Sequence, residues 1–558
     1  MTNDAERAAL DLANRFWEGL LETEPILGTE VGDERFDDRL PDPSEEGLNK
    51  QRALYEGALR ELETFDRAAL SEDARTSLDI LEAISRRELD LINYRMDRLT
   101  AVMHLFGPSN LLADIGSMQR ADTSERVDRF VARLSAFPKY MQDLSRVVEE
   151  GARLGPQMPR LVVERTVAQI ERMLSGPPEE SPGMEPAAKA RAEDKERVAK
   201  ALRESVWPAY STYLDALKAY LPAATNTIGL HALPDGDAMY ASRVRAFTTL
   251  PLDARKVHEL GVEDLTKIQE ERHQIAERLG FPDAESAVEA HTASGRNTAS
   301  SKEALIRLVE DQVRRSWEAA PAYFGRLPRA NCTVRPVEEF READMPGAFY
   351  QPPTADGSRS GVYYVNASDL PHRPLHHVAT TTYHEANPGH HFQISIEYEF
   401  ADRPALRRFG GFLAGSAFTE GWGLYSERLA DEMGLFVDDY ERLGMLEAQG
   451  HRAARLIVDT GIHAFGWDRD RSIKQLEEAG VPNVDAVIEV DRYIAWPGQA
   501  LAYKIGQFEI ERWRADAEKR QGSAFSLRDF HDGLLSLGSL PLSALERELA
   551  TGRTSANA

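Results

Sequence analysis

Apolar residues recur at helical spacing along most of this 558-residue chain. Segments such as 66–92 and 124–155 place them at positions i, i+3, i+4 and i+7, so that each segment has one apolar face. An apolar helix face has to be buried against another element of structure. The pattern therefore predicts a large, mostly α-helical protein, and the chain is long enough to bury a sizeable core around a cleft.

Strand-like sequence is confined to a few short stretches rich in β-branched and aromatic residues and bounded by Pro, Gly or Asp. Residues 332–340, 347–353 and 360–367 form one group, in which the last two stretches resemble a hairpin. A fourth stretch with strand character covers 239–252. We therefore expect a small β-sheet, most of it formed by residues that lie just upstream of an unusual histidine motif.

The charge and the apolar content of the chain exclude several classes of partner. The 67 basic and 92 acidic residues give a formal net charge of −25, which repels nucleic acid and anionic membranes. No run approaches the roughly 18 apolar residues of a membrane-spanning helix, and the acidic N-terminus does not resemble a signal peptide. We therefore expect a cytoplasmic protein. The single cysteine, Cys332, excludes an internal disulfide and a cysteine-based zinc site.

The histidine motif occupies residues 383–393, which read YHEANPGHHFQ. It begins like the zinc-peptidase signature H-E-x-x-H, in which two histidines about 6 Å apart on one helix face converge on a metal. Here Pro388 stands where the second histidine is expected, and histidines follow at 390 and 391. On a regular helix His390 is rotated about 600° from His384, and His391 lies about 10 Å further along the axis. A regular helix therefore cannot form the site.

Pro388 and Gly389 indicate that the helix is not regular. Proline has no N–H and clashes with the carbonyl group four residues earlier, while glycine relaxes the backbone beside it. A bulge of about two residues at this point would bring His390 into the i+4 position relative to His384. We favour His390 as the second ligand and keep His391 as the alternative. A histidine-rich turn that binds no metal is the competing interpretation.

The stretch FTEGWGLYSERL, at 418–429, supplies a candidate third ligand. Helical zinc peptidases of this type need a glutamate on a following helix to complete a three-ligand site with an open position. Glu420, followed by Gly421 and an aromatic residue, resembles the corresponding NEGF segment of aminopeptidase N-type enzymes. Glu427 could lie on the same helix face, either behind the ligands or in a helix salt bridge.

Residues 452–467 and 489–507 contain a third group of polar side chains. Asp459 and His463 have the i, i+4 spacing of an oriented imidazole. Tyr493 and Tyr503 flank a Pro-Gly break. Tyr493 or His463 is therefore predicted to stabilise an oxyanion, with ordinary buried hydrogen bonds as the alternative for each. Three arginines are candidates for binding a substrate carboxylate, or for salt bridges on a helix face: Arg452, Arg455 and Arg492.

Three further histidines lie upstream of the motif in PHRPLHH, at 371–377. Prolines close to the start of a predicted helix are typical of a helix entry. We interpret this segment as a helix entry and not as a second metal site.

Together, YHEANPGHHFQ, FTEGWGLYSERL, RLIVDTGIHAFGW and RYIAWPGQALAYKIG resemble the bacterial family called Domain of Unknown Function 885. The resemblance spans essentially the whole chain. The family itself resembles helical zinc metallopeptidases, including Taq-type carboxypeptidases and angiotensin-converting enzyme. This resemblance implies a mostly helical, two-lobed fold with a cleft. We expect one metallopeptidase-like domain, with a helical N-terminal lobe over 1–235 and a catalytic lobe with the small sheet over 236–558.

The motifs and the resemblance together predict a zinc-dependent hydrolase that cleaves short peptides. His384, His390 and Glu420 would hold Zn2+. Glu385 would act as general base on water and then as acid to the leaving amine. The strand at 361–367 is expected to pair with an extended substrate. The alternatives are a hydrolase of non-peptide amides or esters and a helical binding protein with a decayed metal site, although the presence of Glu385 and Glu420 argues against decay.

Overall fold

Helices account for most of the structure, which confirms the mostly α-helical class. The computed structural model describes residues 4–155, 157–337, 347–353 and 360–550. The first helices are α1 Asp4–Thr23, α2 Pro25–Val31, α3 Glu45–Leu62, α4 Glu72–Asn93, α5 Asp97–Thr100, α6 Leu111–Met118, α7 Ser124–Leu154, α8 Arg160–Ser175, α9 Ala192–Ala201, α10 Trp207–Tyr220 and α11 Gly236–Thr248. The later helices are α12 Ala254–Leu279, α13 Ala284–Ala293, α14 Lys302–Ala319, α15 Val378–Glu385, α16 His390–Tyr398, α17 Ala405–Phe409, α18 Gly411–Ala414, α19 Ala417–Glu432, α20 Asp439–His463, α21 Arg469–Glu478, α22 Asn483–Ala495, α23 Ala502–Gln521, α24 Leu527–Leu537 and α25 Leu542–Ala550.

The chain forms two compact units. Unit 1 comprises Met1–Ser242, Ile462–Arg469 and Ile488–Pro497, and unit 2 comprises Arg243–Gly461, Asp470–Val487 and Gly498–Ala558. The predicted lobe boundary after residue 235 stays a prediction. In the described part of the chain, no helix has the length and apolarity that crossing a bilayer requires. The predicted cytoplasmic location also stays a prediction.

Unit 1 has a helical core in which α7 packs against α10. Phe130 and Phe137 of α7 and Tyr210 and Tyr213 of α10 are fully buried, and the rings of Phe137 and Tyr210 lie 5.9 Å apart. Both tyrosine hydroxyls donate hydrogen bonds to backbone carbonyl groups. Because a buried hydroxyl without a partner is costly, these bonds allow tyrosine to fill a core position.

Unit 2 contains the small sheet that the sequence predicts. Its strands are β1 Cys332–Pro336, β2 Ala348–Gln351 and β3 Gly361–Val365, in the order β1-β3-β2. The predicted pairing of the last two stretches is confirmed, since β2 and β3 are antiparallel, whereas β1 and β3 are parallel. The end of the first predicted stretch, 338–340, lies outside the described residues. The expectation that 361–367 pairs with an extended substrate is wrong, because β3 is the central strand and is paired on both edges.

The strand predicted at 239–252 is also wrong, because helix α11 covers most of this stretch. Met239, Tyr240, Arg243 and Val244 are buried, at positions i, i+1, i+4 and i+5 of a helix. The hydroxyl of Thr248 donates to the carbonyl group of Val244, four residues earlier, at 2.7 Å. Burial of one helical face therefore overrides the weak strand preference of the β-branched residues.

Helices α19 and α23 of unit 2 contact each other backbone to backbone at two glycines. A Cβ atom on Gly506 would lie 1.8 Å from the carbonyl oxygen of Ala417, and one on Gly421 would lie 2.5 Å from the Cα atom of Gly506. Neither position can carry a side chain unless the helices separate. Because α19 contains Glu420 and Glu427, this contact helps to fix the positions of both carboxylates in unit 2.

We expect Gly421→Ala to lower the midpoint of thermal unfolding. A methyl group forced into packed backbone costs about 1–3 kcal/mol. The control is Gly57→Ala in the middle of α3, where a Cβ atom meets only the tip of the Arg60 side chain, at 4.0 Å. There the same substitution should stabilise the helix by about 0.5–1 kcal/mol. Differential scanning calorimetry of both variants measures the shifts, and shifts of equal sign would contradict the backbone contact.

Candidate metal centre

The predicted irregularity in the histidine motif is a break between two helices. Helix α15 ends at Glu385 and α16 begins at His390, and four residues connect them. A Cβ atom on Gly389 would lie 1.8 Å from the carbonyl oxygen of His384, so only glycine fits this position. Pro388 supplies no N–H to continue the first helix. The local sequence therefore ends one helix and starts the next within a single turn.

Two side chains of α19 hold the break in place. The indole Nε1–H of Trp422 donates to the carbonyl oxygen of Pro388 at 2.9 Å, and the hydroxyl of Ser426 donates to the same oxygen at 3.3 Å. Trp422 and Ser426 are fully buried. These bonds satisfy a carbonyl group that neither helix can use. They also dock α19, which carries Glu420, against the break.

His384, His390 and Glu420 converge at this point. The two imidazole rings lie 4.7 Å apart, and Oε2 of Glu420 is 3.9 Å from Nε2 of His384 and 3.6 Å from Nε2 of His390. These separations exceed the roughly 2.7–3.2 Å of an N–H···O hydrogen bond. They are close to the edge of a tetrahedron with metal–ligand bonds of about 2.1 Å, which is about 3.4 Å. The donor set and its spacing therefore fit a zinc ion.

A buried polar chain supports the first of these histidines. Nδ1 of His384 lies 2.8 Å from Oε1 of Glu427, which leaves Nε2 for a metal. The amide of Gln449 donates to Oε2 of Glu427 at 3.2 Å, and Nζ of Lys504 donates to the amide oxygen of Gln449 at 2.8 Å. Lys504 also pairs with Asp264 at 2.9 Å. A carboxylate behind a histidine ligand orients the ring and fixes its tautomer.

The electrostatics of this group favour a bound cation. Burial disfavours a charged imidazole, but the Glu420 and Glu427 carboxylates outweigh it and raise the pKa of His384 to about 10. Burial likewise disfavours a charged carboxylate, but His384 and His390 hold the pKa of Glu420 well below its usual range. A metal ion that bound these donors would displace the proton of His384.

The structure distinguishes His390 from His391. Nδ1 of His391 lies 2.9 Å from the hydroxyl of Tyr350, and Nε2 lies 3.1 Å from the carbonyl oxygen of Ala330. Burial lowers the pKa of His391 to about 4, which favours the neutral ring. Both ring nitrogens of His391 therefore have partners elsewhere in unit 2, and it is His390 that lies beside His384.

Glu385 is the last residue of α15 and is partly exposed. Among the described residues its carboxylate has no hydrogen-bond or ion-pair partner. It directly follows His384, as the glutamate of H-E-x-x-H follows the first histidine. A partly exposed carboxylate in this position can accept a proton from water.

His463 and Tyr493 belong to unit 1, whereas the three converging residues belong to unit 2. The backbone N–H of Leu230 donates to Nδ1 of His463 at 3.3 Å, and Nε2 of His463 donates to the carbonyl oxygen of Tyr493 at 3.0 Å. Burial lowers the pKa of His463 to about 4. Both ring nitrogens are thus engaged by backbone groups, as in a buried structural histidine. The oxyanion role predicted for His463 or Tyr493 gains no support from these contacts and stays a prediction.

The arginines predicted to bind a carboxylate lie over aromatic rings. Arg452 and Arg455 lie 6.0 and 4.6 Å from the ring centre of Tyr503 in unit 2, and Arg492 lies 5.8 Å from that of Trp496 in unit 1. Cations over aromatic faces are stabilised without any ligand. Their role in binding a substrate stays a prediction.

Sequence reasoning missed four residues that support the site, namely Trp422, Ser426, Gln449 and Lys504. Only Lys504 could have been found from the sequence, because it lies in the largely apolar stretch ALAYKIG. A lysine buried in such a stretch needs a polar partner. No local pattern connects Gln449 with Glu427 or Trp422 with Pro388, because these contacts join separate elements.

The family model described as "Bacterial protein of unknown function (DUF885)" matches residues 25–549 of this chain. The crystal structure of a putative lipoprotein from Colwellia psychrerythraea is similar, with 25% sequence identity and a TM-score of 0.92, and covers 98% of this chain and 99% of that chain. A putative lipoprotein of unknown function from Shewanella oneidensis shares the fold, with 18% identity and a TM-score of 0.77 over 97% of this chain and 99% of that chain. The comparison with curated proteins finds no match.

We expect His390→Ala to remove one equivalent of zinc relative to the wild type, because it removes one of three converging donors. His391→Ala should keep the zinc content of the wild type, since both of its ring nitrogens are engaged elsewhere. Elemental analysis after dialysis against zinc measures both contents, and circular dichroism checks folding. Loss of zinc from His391→Ala alone would transfer the ligand assignment to His391.

We expect Glu427→Gln to weaken zinc binding about 10- to 100-fold, the usual effect of losing a partner behind a histidine ligand. The matched control is Glu432→Gln at the exposed end of the same helix, where the glutamate pairs with Arg514. The control should bind zinc like the wild type. Competition with a chromophoric chelator measures the affinities, and equal affinities for the two variants would exclude the supporting role of Glu427.

Proposed function

We propose that this chain, which belongs to the bacterial DUF885 family of proteins of unknown function, is a zinc-dependent hydrolase that cleaves short peptides. The proposal rests on one observation. His384, His390 and Glu420 present three donor atoms within 4.8 Å of one another, and the unpartnered carboxylate of Glu385 directly follows the first of them. Three such donors beside a carboxylate support a hydrolytic metal site with an open coordination position.

His384, His390 and Glu420 would hold the zinc ion. Two imidazoles and one carboxylate suit zinc better than calcium or magnesium, which prefer oxygen ligands only. When bound, zinc supplies a Lewis acid that polarises the carbonyl group to be cleaved. Glu427 keeps the His384 ring in the orientation that this role requires.

Glu385 would move the protons of the reaction. As general base its carboxylate takes a proton from the attacking water, and as general acid it then delivers that proton to the leaving nitrogen. An amine leaves a tetrahedral centre readily only once it is protonated, so one carboxylate that does both suits an amide substrate. The partial exposure of Glu385 lets it reach both water and substrate.

The resemblance of the motifs to helical zinc metallopeptidases supports peptides as the substrate class. The donor geometry alone suits the hydrolysis of any amide or ester, so simple amides and esters form the comparison set of the test. The presence of Glu385 and Glu420 argues against a binding protein derived from an enzyme, since loss of the base or of a ligand is how an active site decays.

We expect Glu385→Gln to keep its fold and its zinc but to cleave peptides at least ~100-fold more slowly, because an amide cannot accept the proton from water. Glu420→Gln should instead lose one equivalent of zinc, because it removes an anionic ligand. Digestion of a peptide library read by mass spectrometry gives the rates, and elemental analysis gives the zinc content.

Two outcomes would contradict this assignment. If the wild type cleaves esters or simple amides but no peptide, the substrate class is wrong and the hydrolase remains. If the wild type and Glu385→Gln cleave peptides equally fast, Glu385 is not the base.

A further inference from the structure

A second group of converging donors lies at the other end of α15. His376 and His377 form the end of a short turn, Leu375–His377, that runs directly into α15, which confirms the predicted helix entry. Consecutive side chains on such a turn normally point about 120° apart. Here both imidazoles face one carboxylate of α20, with Nε2 of His376 at 3.0 Å and Nε2 of His377 at 2.5 Å from Oε2 of Glu447.

Neighbouring residues hold this group in place. The side chain of the buried Asn297 contacts Nδ1 of His376, and its Oδ1 accepts the backbone N–H of His376 at 3.0 Å. The other oxygen of Glu447 lies 3.4 Å from the guanidinium of Arg272. A Cβ atom on Gly444 would lie 1.9 Å from the carbonyl oxygen of His376, so α20 packs backbone to backbone against the turn. The first histidine and the carboxylate are thus each oriented by a second residue, as ligands in metal sites are.

The sequence alone favoured a helix entry over a second metal site in this segment, but from these contacts we propose that His376, His377 and Glu447 form a second site for a zinc-class transition-metal ion. Two imidazoles and one carboxylate select zinc, cobalt or nickel over calcium and magnesium. The present separations of 2.5 and 3.0 Å are those of hydrogen bonds, in which protons take the place of the metal. Metal binding requires the donors to separate to about 3.4 Å. His377 can supply most of this movement, since its side chain is 40% exposed.

The second site is separate from the chemistry proposed above. His384 follows His377 by seven positions, which on a helix correspond to about 10 Å along the axis. Paired metals that act on one substrate lie only about 3.5–4 Å apart. A metal at this position would instead tie the start of α15 to α20, and so fix the helix that ends in His384 and Glu385. It would therefore stabilise the protein whether or not the chain is a hydrolase.

Zinc content measured on single and double variants tests the proposal. After dialysis against zinc chloride, the wild type should hold two equivalents, His377→Ala one, His390→Ala one and the double variant none. The control His372→Ala removes the exposed histidine of the same segment, which pairs with Asp369, and should hold two. Zinc should raise the midpoint of thermal unfolding of His390→Ala but not that of the double variant.

The two sites fail in distinguishable ways. If His377→Ala holds as much zinc as the wild type, and zinc does not raise the unfolding midpoint of His390→Ala, the second site is only a hydrogen-bonded cluster and the proposal is overturned. If His377→Ala holds no zinc while His390→Ala holds one equivalent, the second site stands and the site of the proposed hydrolase falls. Because His377 is partly exposed, its substitution should preserve folding. Glu447→Gln provides a second variant, which should also lose one equivalent.

Discussion

The carbonyl group of Pro388 is the point on which the site depends. Helix α15 cannot use this group, because the chain breaks after Glu385, and α19 satisfies it through Trp422 and Ser426. The same two bonds that make the break tolerable in a buried position also place α19 beside it. The break brings His390 next to His384, and α19 carries Glu420 to 3.9 and 3.6 Å from the two imidazoles.

Close backbone contacts and buried polar groups occur together around this point. Gly421 and Gly506 let α19 and α23 meet backbone to backbone, and on α19 Glu420 is partly buried and Glu427 is fully buried. Ionised groups at such depth are costly unless each has a partner. His384 and Gln449 are the partners of Glu427, and His384 and His390 lie beside Glu420. Donors held in this way need little reorganisation when a cation binds, which is what a catalytic metal site requires.

Helix α15 is short, and the two histidine groups lie at its two ends. Its first end follows His376 and His377, which face Glu447 of α20, and its last turn carries His384, which faces Glu427 of α19. Helix α20 also supplies Gln449 behind Glu427, so that contacts at the two ends of α15 meet through one neighbouring helix.

Local pattern alone predicted the helical class and the break at Pro388 and Gly389, because spacing and backbone stereochemistry act within a few residues. It also selected His384, Glu385 and Glu420 as candidate site residues. It predicted a strand where burial of one face produces the helix Gly236–Thr248. It also predicted that the strand Gly361–Val365 pairs with a substrate, although both edges of this strand are paired with other strands of the chain. Only the tertiary structure distinguished His390 from His391, gave Glu427 its place behind His384, and turned His376 and His377 toward Glu447. Each of these contacts joins residues that are distant along the chain, and the packing of whole helices decides which of them meet.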